Sequence, residues 1–179
     1  MLRGEALAGL GGLLWLWRAL ALLALATLPA AAVNPLPEPT GPVILTVSGT
    51  VEVTHSDQGA EFDREMLYAL GLTEIRTTTA WTDGIQVFEG VLLRTVLERV
   101  GASGTTITGI AINDYVAPLP FEDVERYDVL LAAVMNGVEM TVRDRGPLWI
   151  IYPREDHPEL QDPQYNDRFV WQLREINVK

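Results

Sequence analysis

The residues best equipped for chemistry fall in four short segments that mix aromatic, amide, carboxylate and guanidinium groups. They are Thr77-Thr78-Thr79-Ala80-Trp81-Thr82, Asn113-Asp114-Tyr115, Arg143-Asp144-Arg145-Gly146-Pro147-Leu148-Trp149 and Asn166-Asp167-Arg168. Each sits at the end of an expected strand, and loops at strand ends are where binding sites are commonly built. The same residues have a purely structural reading, in which Trp81 and Trp149 are core aromatics and Asn113, Asp114 and Asp144 cap turns.

The patterns of covalent and metal catalysis are missing. The chain has no Cys, which excludes disulfides, thiolate nucleophiles, Fe–S clusters and every thiolate-ligated metal centre. His55 and His157 are its two imidazoles, too few for a three-His zinc site. Ser48, Ser56 and Ser103 are the only serines, and none stands in a G-x-S-x-G setting or beside a His in a recognisable pattern. There is no P-loop, no G-x-G-x-x-G and no H-E-x-x-H. Glu155-Asp156-His157 has the makings of a metal or acid–base pair, but in so acidic a chain its carboxylates read first as solvated surface.

Length and composition agree with one domain. The 179 residues carry 13 Lys and Arg against 24 Asp and Glu, a formal net charge of −11, with 48% hydrophobic and 21% charged residues. One continuous core is feasible at this size, and a pI near 4.5 argues against nucleic acid as a partner.

The first 32 residues read as a secretory signal peptide. Arg3 and Arg18 precede or flank an apolar run, Ala19 to Leu28, and Ala30 and Ala32 meet the small-residue cleavage rule. A periplasmic protein is the expectation, with an uncleaved anchor as the alternative. Residues 33–42 hold four prolines in ten positions and read as an extended tether, leaving 43–179 as one domain.

Within that domain, strands are expected at 43–49, 51–53, 74–79, 106–113, 129–135, 148–152 and 169–178. Asn136-Gly137 predicts a hairpin whose return strand covers 138–142. Helices are expected at 62–71 and 90–101, each stopped by glycine, with a helical turn at 121–127. Strands outnumber helices and do not alternate strictly with them, so the fold class is α+β, a single β-rich domain with mixed sheets.

The order of several segments resembles a known family over nearly the whole domain. They are Thr77-x-x-x-Trp81, Phe88-Glu89-Gly90-Val91-x-Leu93-x-x-Val96-Leu97, Asn113-Asp114-Tyr115-x-x-x-Leu119-Pro120, Met135-Asn136-Gly137, Gly146-Pro147-Leu148-Trp149 with Tyr152-Pro153, and Trp171-Gln172-Leu173. In this order they resemble the oxidoreductase molybdopterin-binding domain, the sulfite oxidase fold. The enzymes of that family bind molybdenum through a cysteine four residues before the Trp-like position, where this chain has Thr77. A hydroxyl does not replace a soft thiolate, so the resemblance implies the fold and a pterin-sized cleft but no metal anchor.

The chain more closely resembles the Cys-free, exported branch of the fold, the PruR-type periplasmic pterin-binding proteins. That resemblance implies a pterin as ligand, no molybdenum, no covalently bound cofactor, and a membrane partner that is either a cyclic-di-GMP enzyme or a sensor kinase. A pterin presents a flat face, a 2-amino group and N3–H as donors, and O4 as acceptor. Trp81 or Trp149 can stack on the face, Asp114 or Asp144 can take the donor edge, and Asn113, Arg143 or Arg168 can reach the acceptor. Thr77 and Tyr115 complete the expected ligand-binding set, and no catalytic residue is expected. Two other functions fit the sequence: a molybdopterin-dependent oxidoreductase without a Cys ligand, and a structural interaction module with a vestigial cleft.

Overall fold

A computed structural model describes residues 34–179. The expected signal peptide lies outside the described residues. No helix among those described is long and apolar enough to cross a membrane.

Among the described residues, ten strands form two five-stranded sheets. The first contains β1 (Leu45–Gly49), β2 (Ala60–Phe62), β5 (Thr106–Ala111), β6 (Val116–Pro120) and β10 (Leu173–Val178) in the order β2-β1-β10-β5-β6. Its β1–β10 pair is parallel and its other pairs are antiparallel, so the sheet is mixed as expected. The second contains β3 (Thr73–Thr77), β4 (Gln86–Leu92), β7 (Leu130–Met135), β8 (Val138–Glu139) and β9 (Trp149–Ile151). Strand β7 pairs with β4 along one side and shares its other side between β8 and β9. Among the described residues three short α-helices accompany the sheets: α1 (Arg64–Tyr68), α2 (Leu93–Arg99) and α3 (Phe121–Arg126).

Burial follows residue type. Thr106–Ala111 alternates half-buried and buried positions, the pattern of a strand with one face on the core. Leu130 to Ala133 and all of β9 are buried, as continuous apolar runs should be. On α2, Leu93, Val96 and Leu97 turn inward at helical spacing.

Several elements differ from the sequence expectations, each for a local reason. Strand β6, Val-Ala-Pro-Leu-Pro, lies where no strand is expected. It is an edge strand, where a missing N–H is tolerated, and it alternates exposed and buried positions. The expected helix at 90–101 starts only at Leu93, because Val91 and Leu92 still pair with Leu131 and Leu130. Residues 51–53 form no strand, since the N–H groups of Glu52 and Val53 both donate to Val100 O. The expected helix at 62–71 is shorter, because Phe62 ends β2 and the Asp63 carboxylate caps α1 by accepting the Met66 N–H at 2.8 Å. Asn136 and Gly137 both take positive φ, 53° and 77°, as the hairpin requires, but the return strand is only Val138–Glu139. The last strand begins at Leu173, not Phe169.

The proline-rich segment adopts no regular structure but is fastened to the domain. Arg99 donates to Asn34 O and Pro35 O, His55 Nε2 lies 2.9 Å from Pro37 O, and Asp63 Oδ2 accepts the N–H groups of Thr40 and Gly41 at 2.7 and 2.9 Å. Bonds from the backbone N–H groups of Met66 and Gly41 hold the Asp63 carboxyl below the usual carboxylate range. Its contribution to stability is therefore full at neutral pH and is lost as pH falls through that lowered value. Asp63→Asn should lower the melting temperature at pH 7 and flatten the acid limb of the stability profile, readable by circular dichroism across pH.

Gly90 lies where the β4–β7 register shifts, and a Cβ there would run into the backbone of Leu131. Gly90→Ala should destabilise the domain by about 1–3 kcal/mol in urea titrations, the usual cost of overpacking.

Candidate functional site

Where the first sheet's β5–β6 turn approaches the loop after β3, a cavity of about 280 Å³ opens to solvent. Its apolar wall is Trp81, Phe169 and Trp171, and its polar rim is Asn113, Tyr115, Asn166 and Asp167. Three separated stretches of chain supply these groups.

Trp81 comes from the loop between β3 and β4. Its backbone N–H donates to the Thr79 hydroxyl at 3.1 Å, and its carbonyl accepts from Arg145 Nη2 at 3.1 Å, so the backbone that carries the indole is fixed on both sides. The Trp171 ring stands edge-on to it at 5.2 Å between centroids, and Phe169 lies at 5.8 Å. Trp149 lies behind both indoles, fully buried, with its Nε1–H donated to Phe169 O at 3.2 Å. The Arg145 guanidinium lies 5.1 Å from the Trp149 ring centroid.

Asn113 and Tyr115 come from the tight turn between β5 and β6, where Asp114 has φ +64°. Asn113 Oδ1 accepts the Tyr115 N–H at 3.2 Å, which leaves the amide nitrogen with no acceptor among the described residues. The Tyr115 hydroxyl donates to Asp167 O at 3.3 Å. Partial burial and then the Asp167 carboxylate push its phenol above the usual value, so it remains a protonated donor near neutral pH.

Asn166 and Asp167 belong to a 3₁₀ segment, Pro163–Arg168, which Asp162 caps by accepting the Gln164 N–H. Asn166 Oδ1 is buried without a hydrogen-bond partner. An unsatisfied buried acceptor costs about 1–3 kcal/mol, a deficit that an N–H donor from a ligand would relieve. The segment is anchored from beneath: Asp123 Oδ2 accepts both Arg168 Nη1 at 2.5 Å and the Tyr152 hydroxyl at 2.9 Å. Burial and the Asp123 charge raise Tyr152 well above its usual value, keeping it a donor to that carboxylate.

The sequence-derived candidates thus separate. Trp81, Asn113 and Tyr115 meet at the cavity. Trp149 is the support behind it, so between the two indoles only Trp81 is presented. Asp114 is turned to Arg174 at 2.9 Å, and Asp144 accepts the Thr141 hydroxyl at 2.7 Å within its own turn. Arg168 is bound to Asp123, and Arg143 is exposed on a 3₁₀ turn, Val142–Asp144. Neither arginine lines the cavity. Thr77 is wholly buried, its hydroxyl accepting the Arg154 N–H at 2.9 Å and donating to Tyr152 O at 3.4 Å.

Asn166 and Asp167 stand in one of the four segments singled out from the sequence but outside the expected ligand-binding set, and Phe169 and Trp171 stand outside both. A signal for them existed in the dense run of amide, carboxylate and aromatic residues from 166 to 171. It was masked because Phe169 to Val178 also alternates as one strand.

The family implies a molybdenum–pterin group, and the residues present fit only part of it. Indole faces with an unpaired amide acceptor and an amide donor suit a heteroaromatic ring and its edge. The metal does not fit, since the position expected of its thiolate holds a hard hydroxyl already committed to two backbone groups.

Comparison with known proteins agrees with this architecture. A family model described as the oxidoreductase molybdopterin binding domain matches residues 49–155. The fold is similar to that of the sulfane dehydrogenase SoxCD from Paracoccus pantotrophus, with a TM-score of 0.55 and 19% identity. The similarity covers 75% of this chain and 37% of that one, so this chain spans well under half of the dehydrogenase chain. No curated protein sequence matches significantly.

Asp123→Asn removes the charge that Arg168 and Tyr152 share. It should destabilise the domain by about 3 kcal/mol, because it leaves a largely buried guanidinium unpaired. Hydrogen exchange should show the loss concentrated in residues 158–170.

Proposed function

Since the chain belongs to the oxidoreductase molybdopterin-binding domain family and carries Thr77 at the position of its metal-binding cysteine, we propose that it is a non-catalytic pterin-binding protein that relays ligand state to a membrane signalling partner. The observation that carries this reading is the aromatic cavity of Trp81, Phe169 and Trp171, rimmed by amides with unused hydrogen-bonding capacity. The ring of a pterin enters beside the indoles. Asn166 Oδ1 accepts from its N–H edge, and the Asn113 amide nitrogen donates to its carbonyl.

The relay rests on the resemblance to exported PruR-type proteins, with a periplasmic location and a cyclic-di-GMP enzyme or sensor kinase as partner. One structural feature supports it. The turn that supplies Asn113 and Tyr115 also exposes Ile112, Tyr115 and Val116 to solvent, so a group that touches ligand is continuous with an apolar surface open to a partner.

Calorimetry and tryptophan quenching with tetrahydro- and oxidised pterins test the binding. Saturable micromolar affinity is expected, and its absence would sink the proposal. Trp81→Ala should weaken binding by roughly 5- to 150-fold, the range of 1–3 kcal/mol for a lost stacking platform. It should also abolish the partner's response to pterin. Stoichiometric molybdenum in protein purified from a molybdopterin-producing host would favour an oxidoreductase instead.

A further inference from the structure

The charge of the cavity bears on which pterins it admits, a question that rests on the pterin reading above. Asp167 is the one charged side chain among its lining residues, and none of them is Lys or Arg. Three arginines stand close by in the fold, and all are engaged elsewhere. Arg145 donates to Trp81 O and lies against Trp149, Arg168 is paired with Asp123, and Arg174 divides its donors between Asp114 and Ala111 O. The carboxylate of Asp167 is felt at the Tyr115 phenol on the cavity rim. The formal net charge of the chain, −11, adds a field of the same sign.

A phosphate monoester carries a charge of about −1.5 to −2 at neutral pH and is ordinarily recognised by Arg, Lys or clustered N–H donors. The cavity lining offers no cation for it, and a carboxylate opposes it. We infer that the cavity selects pterins without a phosphate group and that Asp167 is the residue that discriminates against phosphorylated forms, molybdopterin included. A specificity of this kind separates a free-pterin binder from a cofactor-binding enzyme by charge alone, independently of the missing thiolate.

The test is calorimetry on the domain with a hydroxyalkyl pterin and the phosphate monoester of the same compound, at low and high salt. The monoester should bind roughly tenfold or more weakly at low salt, as expected for like charges at a partly screened rim, and the gap should shrink as salt is added. Asp167→Asn should narrow the ratio between the two compounds at low salt. Equal or tighter binding of the monoester overturns the inference while leaving the pterin reading intact. A gap that ignores both salt and Asp167→Asn also overturns it, since that pattern belongs to steric exclusion. Failure of both compounds to bind overturns the pterin reading and this inference with it.

Discussion

The domain depends on one short strand of the second sheet, β9, that is also hydrogen-bonded to the chain leading into the first. Trp149 to Ile151 pairs antiparallel with β7 in the second sheet. On its other side, Ile150 N–H donates to Val170 O and Leu148 O accepts from Leu173 N–H, which ties it to the chain entering β10 of the first sheet. A strand hydrogen-bonded on both sides and buried on both faces must be apolar throughout, and Leu148-Trp149-Ile150-Ile151-Tyr152 is. Gly109 on β5 fits this junction, because its missing side chain leaves room for Ile150, Val170 and Leu173.

The cavity is a consequence of the join. Joining Val170 and Leu173 to the 148–150 segment delays the start of β10 and leaves Phe169 to Trp171 outside regular pairing. Gln172, at φ +51°, donates its N–H to Arg145 O and its side chain to Val142 O, so the turn before β9 is locked to the same stretch. Trp149 fills the space beneath, and Trp81 and Trp171 are left half-buried above it, available for stacking. The polar rim is built the same way, from a 3₁₀ segment anchored through Arg168 to a buried carboxylate. The groups that meet a ligand are therefore positioned by groups that do not.

Thr77 shows how a family scaffold changes use. The position that the resemblance assigns to a metal-binding thiolate carries a hydroxyl that fastens the end of β3 to the backbone at 152–154. The neighbouring Thr78 hydroxyl donates to Glu155 at 2.7 Å and, with its N–H, holds that carboxyl below its usual value. A loop that would present a metal becomes a clamp between the two halves of the second sheet. The sulfite-oxidase-type architecture survives this exchange, because its core depends on buried strands and not on the ligand set.

The composition and local patterns determined much in advance. Zero cysteines removed thiolate chemistry, β-branched and alternating runs located most strands, Asn136-Gly137 placed a hairpin, and the ordered motifs indicated the family. These are properties of residue type and near neighbours, so they are legible one segment at a time. Other outcomes were decided only by tertiary structure. Periodicity could not say that β6 tolerates two prolines because it is an edge, nor that Trp149 is a support while Trp81 and Trp171 line the cavity. Nor could it say that Arg168 is consumed by Asp123 and Asp114 by Arg174. Each depends on which distant segment arrives alongside, for an indole or a charge has no role until its partner, 20 to 64 residues away here, has been placed.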